Sequence, residues 1–182
     1  TSLLAGAAAL GAPYFLRAQG ANERINVACI GVGGKGSGDT DSAFALGGNI
    51  VALCDIDSNT LNGKNKSLQD RATKGNRTFD AKLFSDWRKM FDELGKSIDA
   101  VTVSTPDHVH GLAAITAMRM GKHVYCQKPL TRTVWEAQEL AKAATRYGVA
   151  TQIGNQGYSN EGARQCCEIV WAGDIGPVRE VH

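Results

Sequence analysis

Between Asn26 and Asp39 the chain reads NVACIGVGGKGSGD, a short apolar run that opens without a break into glycines at positions 31, 33 and 36. That order specifies a strand, a tight turn and a helix held close to the strand. The first glycine permits the turn, the second lets backbone approach a pyrophosphate, and the third lets the helix pack against the strand. The first N–H groups of the helix then point at the phosphates. In a chain of 182 residues with 21 glycines the spacing alone is weak, because glycine turns also serve loops that need positive φ.

The neighbouring sequence decides the reading. Ile25 to Ile30 is apolar enough for a buried strand, Lys35 to Leu46 continues as a helix, and a second apolar run from Asn49 to Cys54 ends at Asp55. This completes a βαβ unit. Asp55 stands roughly 20 residues beyond Gly36, where an acidic side chain accepts hydrogen bonds from the adenosine ribose hydroxyls. A carboxylate there repels a 2′-phosphate, so NAD is expected as the cofactor, with NADP the alternative. The cofactor set at this end comprises Gly31, Gly33, Gly34, Lys35, Gly36, Asp55 and Ile56.

The length allows one full domain and part of another. With 20 basic and 18 acidic residues interspersed, the chain has no basic stripe of the kind nucleic acid requires. The partner is expected to be a small molecule. Thr1 to Leu16 carries no charge and is rich in Leu and Ala, and Arg17 to Ala21 follows like a cleavage zone. This pattern predicts residues 1–21 to be the remnant of an export signal whose start is lost, too short and too glycine-rich to span a membrane. Paired arginines upstream would direct export by the twin-arginine route, giving a periplasmic protein; the alternative is a cytoplasmic one.

Strand and helix patterns alternate through the rest of the chain, which predicts a doubly wound parallel sheet of Rossmann type. Leu61 to Ala72 reads as a polar surface helix and Lys82 to Asp86 as a short strand. Trp87, Met90, Phe91 and Leu94 share one helix face and are expected in the core. Asp99 to Ser104 is a β-branched strand, and His108 to Met120 a helix ending at Gly121. Lys122 to Cys126 is the next strand, with His123 expected as a satisfied core residue. Thr133 and Glu136 form a capping box for a helix that stops at Gly148. Val149 to Ile153 closes the series, Glu161 to Ala172 is a helix ended by Gly173, and Pro177 to His182 is expected to start another strand. The five cysteines show no C-x-x-C pair and are expected to be buried structural thiols.

In an open parallel sheet the ligand sits at the carboxyl ends of the strands. The junctions that follow the strands are Gly31 to Gly36, Ser104 to His110 (STPDHVH) and Gln127 to Leu130 (QKPL), with Asn155 and Gln156 a weaker fourth. Asp107, His108 and His110 form a D-H-x-H string, but no further ligand cluster accompanies it, and no metal is expected.

Taken in order, GVGGKG, LCDID, STPDHVH, GKHVYCQKPL and IGNQGYS resemble the cofactor domain of the Gfo/Idh/MocA family of NAD(P)-dependent oxidoreductases, from about Glu23 to Gly157. The resemblance implies that Lys128 is catalytic. It matches the lysine of the family's Glu-Lys-Pro motif, which lies beside the nicotinamide and hydrogen-bonds the reacting hydroxyl or carbonyl, in a covered pocket. Pro129 matches the motif's proline, whereas its glutamate is replaced here by Gln127. Ser104, Thr105 and Pro106 match the turn against the cofactor, His110 matches the family's usual histidine, and the family's asparagine is replaced by Asp107 or offset by His108. Gln127, Lys128, Pro129 and Gln156 complete the implied cofactor contacts.

The resemblance implies residues 22–154 as the dinucleotide domain and residues 155–182 as the start of a substrate domain, through which the complete protein would form homo-oligomers. It implies hydride transfer to or from a hydroxyl-bearing carbon of a sugar, polyol or derivative. Two alternatives stand beside it: an NAD-dependent glycosidase acting through transient sugar oxidation, and a non-catalytic dinucleotide sensor.

Overall fold

The computed structural model describes residues 24–181, so the expected export leader, residues 1–21, lies outside the described residues. In chain order the elements are β1 (Asn26–Ile30), α1 (Gly34–Ala45), β2 (Asn49–Cys54), α2 (Ser58–Lys74), β3 (Lys82–Phe84), α3 (Trp87–Leu94), β4 (Ala100–Val103), α4 (Asp107–Arg119), β5 (His123–Gln127), α5 (Val134–Tyr147), β6 (Thr151–Gly154) and α6 (Glu161–Ala172). The six strands form one parallel sheet in the order β3-β2-β1-β4-β5-β6. This is the doubly wound Rossmann order, in which the chain moves outward from β1, returns, and continues on the other side. Ile30 pairs with Cys54 on one flank and Val103 on the other, so the turns after β1, β2 and β4 emerge together at one end.

Both faces of the sheet are buried near its centre, which is why its strands read as continuous apolar runs. Alternation splits them between two cores. Ala28, Ile30, Val101 and Val103 pack with Met90, Phe91 and the alanines of α4. Val27, Cys29, Ile50 and Leu53 pack with Phe44 of α1 and Leu61 and Leu68 of α2. Although α2 is polar, Leu61, Lys64, Leu68 and Ala72 are buried along one stripe. Fully burying a leucine such as Leu68 contributes about 1.5–3 kcal/mol, enough to anchor a helix that its composition would leave at the surface.

Capping chemistry sets several boundaries. Asp57 accepts hydrogen bonds from the Asn59 and Thr60 N–H groups, so α2 begins three residues before the predicted Leu61. Asp86 accepts from the Arg88 N–H and starts α3, which ends β3 at Phe84 instead of Asp86. The Thr133–Glu136 capping box forms as expected, and Gly148 closes α5 in the left-handed region at φ 62°.

Three expectations are corrected. His123 is exposed at the start of β5, where its Nδ1 accepts the Ala150 N–H at 2.9 Å; it is satisfied, but at the sheet rim and not in the core. Cys29, Cys54 and Cys126 are buried as expected, whereas Cys166 and Cys167 are exposed, because no residue of α6 is buried. Residues 177–181 form no strand, since no described strand pairs with them and an extended segment needs a neighbour to complete its ladder. No helix among the described residues is long and apolar enough to cross a membrane.

Candidate active site

The glycine turn is built from three contacts that side chains would block. A Cβ on Gly31, whose φ is +80°, would lie 2.6 Å from the Ser104 carbonyl oxygen. One on Gly33 would meet Thr60 Cγ2 at 2.9 Å, and one on Gly36 would strike the Gly31 carbonyl oxygen at 2.0 Å. Gly31 N–H donates to the Cys54 carbonyl at 2.8 Å, tying the turn to the end of β2. The N-terminus of α1 has Gly33 as its cap, with no side-chain hydrogen bond and no acidic residue in its first turn. The positive end of the helix is thus left to an anion.

Asp55 stands beside this turn. Its Oδ2 accepts the Val32 N–H at 2.9 Å and its Oδ1 the Asp57 N–H at 3.0 Å. These two bonds fix the carboxylate and leave each oxygen a further lone pair for a hydroxyl. Ile56, next in the chain, is 91% exposed, an apolar flank that no described residue covers.

After β4, the Ser104 hydroxyl donates to Asp39 Oδ2 at 2.8 Å. Thr105 Oγ1 is buried with no partner among the described residues, and Pro106 is exposed as the cap of α4. His108 is exposed on the first turn of α4, while His110 is buried. The His110 ring spans two junctions, with Nδ1 2.6 Å from the Pro129 carbonyl oxygen and Nε2 2.7 Å from that of Thr105. A neutral imidazole donates to one of these oxygens and an imidazolium to both.

At the end of β5, Gln127 is buried, its Nε2 donating to Asp39 Oδ2 at 2.8 Å and its Oε1 accepting the Lys128 N–H at 3.3 Å. The Lys128–Pro129 peptide bond is cis. Lys128 itself is exposed, so the covered pocket that the resemblance implies is not formed by the described residues. Its ammonium meets no carboxylate among the described residues.

The structure therefore brings the glycine turn, Asp55, Ser104, Thr105, His110, Gln127, Lys128 and Pro129 to one end of the sheet. Gln156 follows the carboxyl end of β6 and turns to the α1 side of the sheet, donating to the Tyr125 hydroxyl and lining an apolar groove of about 690 Å³ that runs over Val27, Thr102 and Tyr125. Lys35 and Asp39 reach the rim of that groove. Among the described residues no three His, Cys, Asp or Glu side chains converge as metal ligands would.

Asp39 is the residue that sequence reasoning missed. It lies three positions after Gly36 in α1, is buried, and also pairs with Lys35 at 3.0 Å. The signal available was indirect: an amide at 127 in place of the motif's glutamate asks where the missing charge has gone.

A helix end stripped of side chains, a turn with no room for a Cβ at Gly31, Gly33 or Gly36, a fixed carboxylate at the end of the second strand and an unpartnered buried hydroxyl at the fourth suit a dinucleotide better than any isolated phosphate. The fold and the site define a dinucleotide-binding Rossmann domain. Residues 25–155 match the model of the oxidoreductase family with an NAD-binding Rossmann fold, Gfo/Idh/MocA, and the chain belongs to that family. It is 31% identical over 144 residues to a glycosyl hydrolase family 109 protein of Solibacter usitatus, covering 76% of this chain and 32% of that protein. It is 27% identical over 134 residues to inositol 2-dehydrogenase of Salmonella paratyphi B, covering 73% and 37% respectively. Among solved structures, myo-inositol 2-dehydrogenase from Lactobacillus plantarum superposes with a TM-score of 0.69 at 27% identity, over 85% of this chain and 43% of that one. An NAD binding oxidoreductase from Klebsiella pneumoniae gives 0.62 at 30%, over 84% and 40%. The chain spans about a third of the length of these curated relatives.

Proposed function

We propose that the protein containing this chain is an NAD-dependent oxidoreductase that transfers a hydride between the cofactor and a hydroxyl-bearing carbon of a sugar, polyol or derivative. The observation that carries this reading is Lys128, an uncommitted cation at the carboxyl end of β5, with its backbone held on one side by Gln127 and the next carbonyl facing His110. Bound NAD supplies the hydride acceptor. Lys128 Nζ would hydrogen-bond the reacting oxygen and stabilise the negative charge that develops on it. The α1 N-terminus and the glycine turn would hold the pyrophosphate, and Asp55 the ribose hydroxyls. Asp57 follows Asp55 closely, and this second carboxylate adds to the repulsion of a 2′-phosphate, favouring NAD over NADP.

The test uses the complete protein and a panel of sugars and polyols. Lys128→Ala should lower the rate of NADH formation by about 10²–10³-fold, the loss typical of one preorganised donor at a developing oxyanion, while NADH binding stays within about threefold. Unchanged turnover would remove the catalytic role from Lys128.

The family 109 relative favours a second reading, in which transient oxidation of a sugar hydroxyl permits cleavage of a glycosidic bond. Net accumulation of NADH supports the dehydrogenase, and glycoside cleavage without it supports the glycosidase. We further read residues 1–21 as an export signal and residues 155–182 as the approach to a substrate domain through which subunits associate. That no residue of α6 is buried on this domain supports the second of these.

A further inference from the structure

We propose that Asp39 and Gln127 are a positioning pair for Lys128, with Asp39 on α1 carrying the charge that the motif's glutamate would place at position 127. The inference rests on the reading of Lys128 given above and deepens it. The carboxylate of Asp39 is buried and can only accept hydrogen bonds, and every group that faces it is a donor. Its Oδ2 receives Ser104 Oγ and Gln127 Nε2, each at 2.8 Å, and its Oδ1 receives Lys35 Nζ at 3.0 Å. The orientation of the Gln127 amide follows from chemistry: its NH₂ must face the carboxylate, so its oxygen faces the Lys128 N–H.

Space at this point is fixed as tightly as charge. A Cβ on Gly154 of β6 would lie 2.7 Å from the amide atoms of Gln127, and one on Gly36 would lie 2.9 Å from the Ser104 Cβ. Gln127 therefore has one place to lie, between β6 and α1. Asp39 in turn joins the helix that opens at the glycine turn to the residue after β4 and to the residue before Lys128. A glutamate at 127 would set two buried carboxylates at hydrogen-bonding distance, which cannot both ionise. The amide is thus the partner that Asp39 demands, and exchanging the two functional groups should preserve the pair.

The experiment compares the complete protein with D39N, Q127E and the exchanged D39N/Q127E. For each, the thermal midpoint of the cofactor-free protein, the affinity for NADH by fluorescence and the rate of hydride transfer per folded molecule are measured. Q127E should slow turnover at least tenfold through Lys128 and, because Asp39 also ties the helix of the glycine turn to Ser104, weaken NADH binding at least tenfold; D39N/Q127E should restore both to within about threefold of the parent. A purely structural role would move the midpoint and leave the affinity and rate of the folded fraction unchanged, overturning the proposal. So would a Q127E protein indistinguishable from the parent, or an exchanged protein that is no better than Q127E or fails to fold. If Q127E alone fails to fold, a folded and active D39N/Q127E carries the expected result. Because NADH binding needs no substrate, a parent protein that oxidises nothing in the panel would sink the oxidoreductase reading while the exchange is still decided.

Discussion

Asp55 illustrates how one side chain sets cofactor choice when backbone has already fixed its position. Two backbone N–H groups hold the carboxylate beside Gly33, so it meets a ribose without rearranging. Replacing it with serine removes charge-assisted hydrogen bonds of about 1.5–3 kcal/mol, and Asp55→Ser should weaken NADH about tenfold or more. NADPH should lose less, or gain, since the repulsion of its 2′-phosphate is relieved; parallel fluorescence titrations read both. Equal loss for the two cofactors, or none, would refute the ribose contact. Asp55 was legible in the sequence because its distance from the glycine turn is set by a single βαβ unit. Asp39 was not, because the amide it serves is 88 residues away and only the sheet order brings them together.

At the scale of elements, the sequence announces ends better than pairings. Thr133, Glu136 and Gly148 mark α5 from local rules, since each acts within one turn of itself. The absent strand over residues 177–181 failed for the opposite reason: β structure depends on a neighbour that no local pattern supplies. The caps also make a prediction about acid. The Thr133 N–H, then the Thr133 hydroxyl and Arg132, hold the Glu136 carboxyl below its ordinary range, and the Thr60 hydroxyl with the Asn59 N–H does the same for Asp57. A carboxyl more acidic when folded than when unfolded contributes stability fully above its unfolded pKa, and that contribution is lost as pH falls through the folded value. Urea midpoints followed from pH 6 to pH 3 should therefore fall less steeply in Glu136→Gln than in the parent. Parallel curves would mean that the capping box does not set this part of the pH dependence.

Across the whole molecule, the parallel sheet works as a wall that is closed on one face and partly open on the other. Cys126 lies in the core beneath α4 and α5, and Cys54 in the same cluster; burial pushes both thiols up to about 12. Cys29 faces the α1 side, where its thiol is also raised by burial, yet Thr102 on that side borders the open apolar groove. The thiolate is the reactive form, so at pH 7.5 a thiol near 12 is ionised to roughly one part in 10⁴ to 10⁵ and resists alkylation even where a reagent can reach it. Cys166 and Cys167 are exposed in the described domain, within reach of a reagent. Brief treatment with iodoacetamide, followed by peptide mass spectrometry, should modify these two and spare the other three, with all five modified in urea. The informative residue is Cys29. Its protection requires that α1 stay seated over β1 and β4 although the groove beside it is uncovered, and Phe44, Arg77 stacked 4.2 Å over its ring, and the buried Lys64 reaching the Ser37 carbonyl are what hold α1 there. Selective native-state labelling of Cys29 would show that α1 lifts from the sheet, and with it the glycine turn that binds the cofactor; NAD should then suppress that labelling.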